Sequence, residues 1–546
     1  IIVWVVRQKQ NDSADYFLGG RDATWLAIGA SIFASNIGSE HLIGLAGAGA
    51  SSGMAMAHWE IQGWMILILG WVFVPFYTRS MVYTMPEFLE RRYNPQSRTI
   101  LSVISLVSYV LTKVAVTVYA GGLVFQQVFG IKELWGIDFF WIAAIGLVVL
   151  TALYTIFGGM KSVLYTSVLQ TPILLLGSLI ILVLGFKELG GWDEMMRVCG
   201  AVTVNDYGDT MTNLIRSNDD ANFPWLGALI GSAIIGFWYW CTDQFIVQRV
   251  LSGKNEMEAR RGTIFGAYLK LLPVFLFLIP GMIAFALHQK YIGAGGEGFL
   301  PMLANGTANA DAAFPTLVAK LLPAGVKGLV VCGILAALMS SLASLFNSSA
   351  MLFTIDFYKR FKPETPEKKL VGIGQIATIV IVVLGILWIP IMRSVGDVLY
   401  TYLQDVQSVL APGIAAAFLL GICWKRTSAQ GGMWGLISGM VIGLTRLGAK
   451  VYYSNAGEVA DSTFKYLFYD MNWLFFCGWM FLFCIIVVIV VSLATEAPTA
   501  EKIQGLVFGT ATKKQKAATR ASWNHWDIIH TVIILAITAA FYWYFW

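Results

Sequence analysis

The chain reads as an all-α polytopic membrane protein of about 14 transmembrane helices, two of them discontinuous. Three observations carry this. Of 546 residues, 57% are hydrophobic and 13% charged, against about 25% charged in soluble domains. Apolar runs long enough to cross a bilayer recur from one end of the sequence to the other. Two of those runs are broken by polar and small residues that a lipid-facing helix should not contain.

Taken in order, the spans fall near 22–47, 52–78, 99–129, 137–158, 163–186, 223–248, 263–288, 324–357, 370–392, 396–423, 430–449, 471–495 and 526–546. An apolar fragment at 1–6 reads as the remnant of a trimmed helix, and 1–21 as that remnant plus a cytoplasmic linker. The loop at 79–100 carries Arg79, Arg91, Arg92 and Arg98, that at 249–261 carries Arg249, Lys254, Arg260 and Arg261, and that at 358–369 carries Lys359, Arg360, Lys362, Lys368 and Lys369. The positive-inside bias makes these three cytoplasmic. The acidic 187–222 loop (Glu188, Asp193, Glu194, Asp206, Asp209, Asp219, Asp220) and the Gly- and Ala-rich 289–323 loop are then outside. Short loops favour a bacterial inner membrane as the plasma membrane concerned.

Several function classes lack their signatures. The net charge of +5 comes from loop topology, and the basic residues form no patch with interleaved aromatics, so nucleic acid is not an expected partner. The six cysteines and five histidines are scattered, without disulfide or zinc spacing. No glycine loop ending in Lys-Ser or Lys-Thr is present to bind a nucleotide. No nucleophile–base constellation suggests an enzyme.

Internal organisation points to a secondary transporter. Five spans run from Trp25 to Phe186 and five from Phe223 to Trp424, and each set opens with an interrupted helix. The breaks are Ala34–His41 and Gly236–Gln244. Broken helices at matching places in two halves indicate an inverted repeat with a binding site near the bilayer midplane. The expected units are therefore 22–186 and 223–424 as the repeats, 187–222 as the loop between them, and 425–546 as additional helices.

Specific stretches sharpen this. Ser35-Asn36-Ile37-Gly38-Ser39 with Gly44-Leu45-Ala46-Gly47, Tyr83-Thr84-Met85-Pro86-Glu87, Ala152-Leu153-Tyr154-Thr155-Ile156, Trp238-Tyr239-Trp240-Cys241-Thr242-Asp243-Gln244, Gln248-Arg249, Tyr268-Leu269-Lys270-Leu271-Leu272-Pro273, Leu338-Met339-Ser340-Ser341-Leu342, Phe418-Leu419-Leu420 and Trp424-Lys425-Arg426 resemble the sodium/glucose cotransporters of the sodium:solute symporter family. The resemblance covers residues 16 to 450 or so. It implies a leucine-transporter-like core of five plus five helices, alternating access, and symport of a neutral hexose with sodium. The alternatives are sodium-coupled symport of myo-inositol or another polyol, or a non-transporting sugar sensor.

Ala337, Ser340 and Ser341 share one helix face, where they can offer oxygens to a hard monovalent cation together with freed carbonyls of Ala34 and Ile37. By spacing alone, serines that bond their own i−4 carbonyls explain the pattern equally well. The resemblance makes these five residues the sodium ligands. It also implies sugar contacts at Asn36, His41, Glu60, Tyr239, Trp240, Lys270 and Gln404, with Leu45, Trp59 and Tyr400 as the outer gate and Tyr239 as the inner one. Carboxylate, ammonium, amide and imidazole groups suit a ring of hydroxyls, although Glu60 and Lys270 also make sense as a plain intramembrane pair. Anionic substrates would call for an Arg in a broken segment, and neither has one. Two-sodium relatives carry Asp where this chain has Ser167 and Thr where it has Ala343, so the resemblance implies one sodium per solute.

Overall fold

The computed structural model describes residues 12–38, 40–303, 306–392, 399–455 and 460–546; the fragment at 1–6 and Ser39 lie outside the described residues. Among the described residues, nine helices are long and apolar enough to cross a membrane, accompanied by shorter apolar helices at Trp25–Asn36, Val116–Gln126 and Phe139–Leu153. The strands described are the two-residue pair Glu133–Leu134 and Ile137–Asp138.

Both interrupted helices form as the sequence suggests. Trp25–Asn36 ends at Ile37, whose backbone is extended (φ −81°, ψ 97°), and a wide π-helical turn Glu40–Leu45 leads into Ala46–Ser52. In the second repeat Trp225–Gly236 runs through the wide turn Phe237–Thr242 to Asp243, also extended (φ −77°, ψ 128°), before Gln244–Leu251. Asp243 starts that last helix by accepting the Phe245 N–H at 3.2 Å, the usual way to satisfy an orphan amide. The Tyr83–Glu87 motif is likewise a helix start. Thr84 accepts the Glu87 N–H at 3.1 Å, and the Glu87 carboxylate accepts the Tyr83 N–H at 2.8 Å.

The spans expected at 137–158 and 163–186 join into one rod, Phe139–Leu189, bent at Gly159 (φ 54°, ψ −152°). A Cβ there would lie 2.5 Å from the Tyr16 carbonyl, so only glycine fits the left-handed bend. Residues 12–21 are accordingly not a free linker: Ser13–Leu18 is a helix with Tyr16, Phe17 and Leu18 buried, and the Phe17 carbonyl accepts the Gln248 amide at 2.7 Å.

Trp25–Asn36 packs on Glu256–Lys270, on Phe139–Leu189 and on Ala324–Met351, which places the first break against the eighth core helix. Leu399–Cys423 packs on Ala429–Asn455 and Trp473–Ala494, while His525–Tyr544 lies along Gly63–Ile68 and Glu256–Lys270. The basic Arg92 is almost fully buried and donates to the carbonyls of Gly421 (2.6 Å), Thr427 (3.0 Å) and Trp424 (3.3 Å) at the end of Leu399–Cys423. A cation there also complements the helix dipole. Cys199, alone in the 187–222 loop, is buried, and burial pushes its thiol up to about 12.

Candidate functional site

The two breaks and the helices facing them enclose a cavity of about 30 Å³ lined by Asn36, Glu40, His41, Trp59, Glu60, Gln62, Ile235, Gly236, Tyr239, Trp240, Lys270, Gln404 and Gln407. That is room for one or two waters. All seven residues implied as sugar contacts line it. They come from five segments: Asn36 and His41 from the first interrupted helix, Glu60 from the short helix Ala57–Glu60, Tyr239 and Trp240 from the second break, Lys270 from Glu256–Lys270, and Gln404 from Leu399–Cys423.

The charged members form one chain of contacts. Lys270 Nζ donates to Glu60 Oε2 at 2.6 Å, His41 Nε2 reaches the same oxygen at 3.2 Å, and Asn36 Nδ2 lies 3.3 Å from His41 Nε2. Lys270 also sits over the Trp240 ring, 5.3 Å from its centre. The Glu60–Lys270 pair therefore exists, and it forms the cavity wall rather than a contact elsewhere in the bundle. Two lining residues carry buried polar atoms with no partner among the described residues: the acceptor Gln404 Oε1 and the donor Trp59 Nε1. Buried groups of that kind cost about 1–3 kcal/mol unless something pairs with them, so they mark where a solute able both to donate and to accept can gain.

The gate residues are spread unevenly. Tyr239 and Trp59 line the cavity, and Trp59 stacks on Trp473 with ring centres 5.5 Å apart and an interplanar angle of 23°. Leu45 is fully buried and does not line it. The Tyr400 side chain lies outside the described residues.

Of the residues implied for sodium, Ser340 and Ser341 make side-chain contacts across to neighbouring helices. Ser341 Oγ donates to the Ser35 carbonyl at 3.0 Å, and Ser340 Oγ lies 3.3 Å from Ser167 Oγ. Neither serine bonds its own i−4 carbonyl, which removes the purely helical explanation of their spacing. Gly38 comes so close to this face that a Cβ would meet Ser341 Oγ at 2.6 Å. Among the described residues no N–H from outside its own helix reaches the Ala34 carbonyl. Ile37 and Ala337 are both buried. These groups fit a hard monovalent ion of the size that neutral oxygens hold. Ser167 Oγ instead donates to Val163 O at 2.6 Å, and Ser35 Oγ pairs with Ser344 Oγ at 2.7 Å.

A second buried ion pair escaped the sequence reading. Lys113 Nζ donates to Asp243 Oδ2 at 2.6 Å, both side chains being about 2% exposed, and the Tyr109 hydroxyl donates to the same carboxylate. The ammonium lies over the rings of Phe245 (4.5 Å) and Tyr239 (4.6 Å). The pair thus ties Asp243 of the second break to the third core helix directly behind Tyr239, the residue implied as the inner gate. A lysine inside the 99–129 apolar run was the available signal, since intramembrane charges seek partners. Gln62 and Gln407 were missed as cavity residues, and Glu40 is absent from the contacts the resemblance implies. Gln62 and Gln407 belong to otherwise apolar spans, and the position of Glu40 in the first break was itself a cue.

Known proteins resemble this chain along most of its length. The human sodium/myo-inositol cotransporter 2 is 36% identical over 518 residues, covering 92% of this chain and 76% of its own. The dog sodium/myo-inositol cotransporter is 37% identical over 525 residues, covering 92% and 72%. A solved Na⁺-coupled sialic acid symporter superposes with a TM-score of 0.72 at 22% identity, over 91% of this chain and 95% of its own, which shows the same transporter fold. Residues 16–439 match the profile of the Sodium:solute symporter family. With residues 16–439 matched and relatives 36–37% identical over 92% of its length, this chain belongs to the sodium:solute symporter family.

Proposed function

We propose that the protein carries a neutral ring polyol of the myo-inositol type into the cell together with sodium, by alternating access between the two repeats. The observation that carries this is the pairing of a free acceptor, Gln404 Oε1, with a free donor, Trp59 Nε1, in a cavity whose remaining polar wall is the Asn36–His41–Glu60–Lys270 chain. A hydroxyl is the simplest group that serves both. A guanidinium to fix a carboxylate is missing from the cavity lining, which speaks for an uncharged solute. Relatives named as sodium/myo-inositol cotransporters support the polyol class. Glu60, Lys270, Asn36, His41 and Gln404 bind its hydroxyls, and Tyr239 and Trp240 take its apolar face. Sodium sits on Ala34, Ile37, Ala337, Ser340 and Ser341, at one ion per solute. The plasma membrane is its place.

A hexose is the second reading. The perpendicular Tyr239 and Trp240 rings, 4.9 Å apart, offer the flat surface that a pyranose face stacks on. Counterflow of labelled myo-inositol and D-glucose in proteoliposomes, with and without a sodium gradient, tests the proposal. Sodium-dependent exchange of the cyclitol is the expected result. Binding without exchange would make the protein a sensor, and exchange indifferent to sodium would refute symport.

A further inference from the structure

Glu40 lines the same cavity as Glu60, yet the two carboxylates stand in different positions. Glu60 shares its Oε2 between Lys270 and His41. The Glu40 side chain, among the described residues, makes no ion pair and no hydrogen bond, and it is partly open to the cavity. It opens the wide turn Glu40–Leu45 immediately after the first break, so its backbone is held by the discontinuity itself. An ionisable group at membrane depth without a protein partner is a functional candidate by default. The bland explanation, a carboxylate that merely complements a helix N-terminus, does not require the side chain to face the cavity.

Two occupants could satisfy it: a further cation or a hydroxyl of the solute. The surroundings favour the hydroxyl. Its nearest charged side chains, Lys113, Lys270, His41 and Glu60, include two lysines already paired with other carboxylates. The lining around it is aromatic and amide, with Tyr239, Trp240, Trp59, Asn36 and Gln404, and lacks the set of convergent carbonyls and hydroxyls found beside Ser341. An ionised carboxylate only accepts hydrogen bonds. The ring position it faces must therefore bear a donor, and an ether oxygen there would be repelled.

We propose that Glu40 is a second solute-contacting carboxylate, which accepts a hydrogen bond from one ring hydroxyl and thereby selects rings that carry a hydroxyl at that position. This rests on the polyol reading of the cavity and names the residue that sets its selectivity.

The test compares the full-length chain with Glu40→Ala and Glu40→Gln in proteoliposomes, using myo-inositol, D-glucose and a set of monodeoxy analogues of whichever ring is carried. In the unaltered protein, deleting the hydroxyl that Glu40 meets should weaken apparent affinity about tenfold, as expected for a charge-assisted bond. In both variants that one deletion should cost less than about twofold, while every other deletion costs what it did before. The sodium concentration for half-maximal uptake should not move, and sodium-driven uptake in the variants shows that they fold. Identical deletion profiles in all three proteins would overturn the inference and leave the polyol function standing. A raised sodium requirement with an unchanged profile would overturn it in favour of a cation role. No uptake of either ring by the unaltered chain would refute the proposed function and this inference with it.

Discussion

The Lys113–Asp243 pair offers a test that depends on geometry alone. Both groups are buried, with Nζ and Oδ2 2.6 Å apart, and Asp243 also starts the helix Gln244–Leu251. Lys113→Met leaves the carboxylate with the Tyr109 hydroxyl and the Phe245 N–H and no counter-charge. Asp243→Asn keeps an oxygen for the Phe245 amide but strands an ammonium among aromatic rings. Breaking a buried pair in this way costs about 3–5 kcal/mol, whereas replacing both partners by uncharged groups is close to neutral. The double variant Lys113→Met/Asp243→Asn should therefore melt above either single variant, with a coupling of roughly 2–3 kcal/mol. Thermal melts of the four proteins in one detergent at one salt concentration make the comparison. Because Lys113 lies 4.6 Å from the Tyr239 ring centre, solute counterflow should recover in the same order. If the losses of the two single variants simply add in the double variant, the two residues are not coupled and the argument for a latch behind Tyr239 fails.

Glu60→Ala and Gln404→Ala should each weaken solute uptake by about 1–3 kcal/mol, roughly five- to 150-fold in affinity, with normal membrane insertion by fractionation; near-normal affinity in both would sink the solute site. Ser341→Ala should raise the sodium concentration for half-maximal uptake more than it alters solute selectivity, because its Oγ faces the Ser35 carbonyl at 3.0 Å on the cation side. A shift in selectivity at unchanged sodium dependence would assign Ser341 elsewhere. The reversal potential of coupled flux should give one sodium per solute, since Ser167 Oγ is spent on the Val163 carbonyl and carries no charge to offset repulsion between two ions, a few kcal/mol at an effective dielectric near 20. A ratio of two in the unaltered protein would contradict this, and Ser167→Asp is the variant in which a second ion should gain a site.

Much of the architecture was legible because a bilayer imposes its demands locally. Each crossing segment must be apolar over about 20 residues, and each interruption must be sheltered by protein, so spans and breaks show up one window at a time. The breaks at Ile37 and Asp243 were readable for that reason. Boundaries were less so: the Phe139–Leu189 rod was divided in two because Gly159 resembles a loop glycine until Tyr16 is seen packed against it. The described part of 12–21 resembled a linker because its buried Tyr16, Phe17 and Leu18 have no periodic neighbours to announce a helix.

By itself the sequence determined the membrane class, the paired interrupted helices and, through its motifs, the family. Which charges meet was decided only in the folded structure. Glu60 and Lys270 are 210 residues apart in the chain and Lys113 and Asp243 are 130 apart, so no local pattern encodes their contact. Each pair had several possible intramembrane partners, and the packing of the helices in the folded chain selected one. The same packing left Glu40 facing the cavity with its carboxylate unclaimed, because the helices that could have neutralised it had already committed their lysines to Glu60 and Asp243.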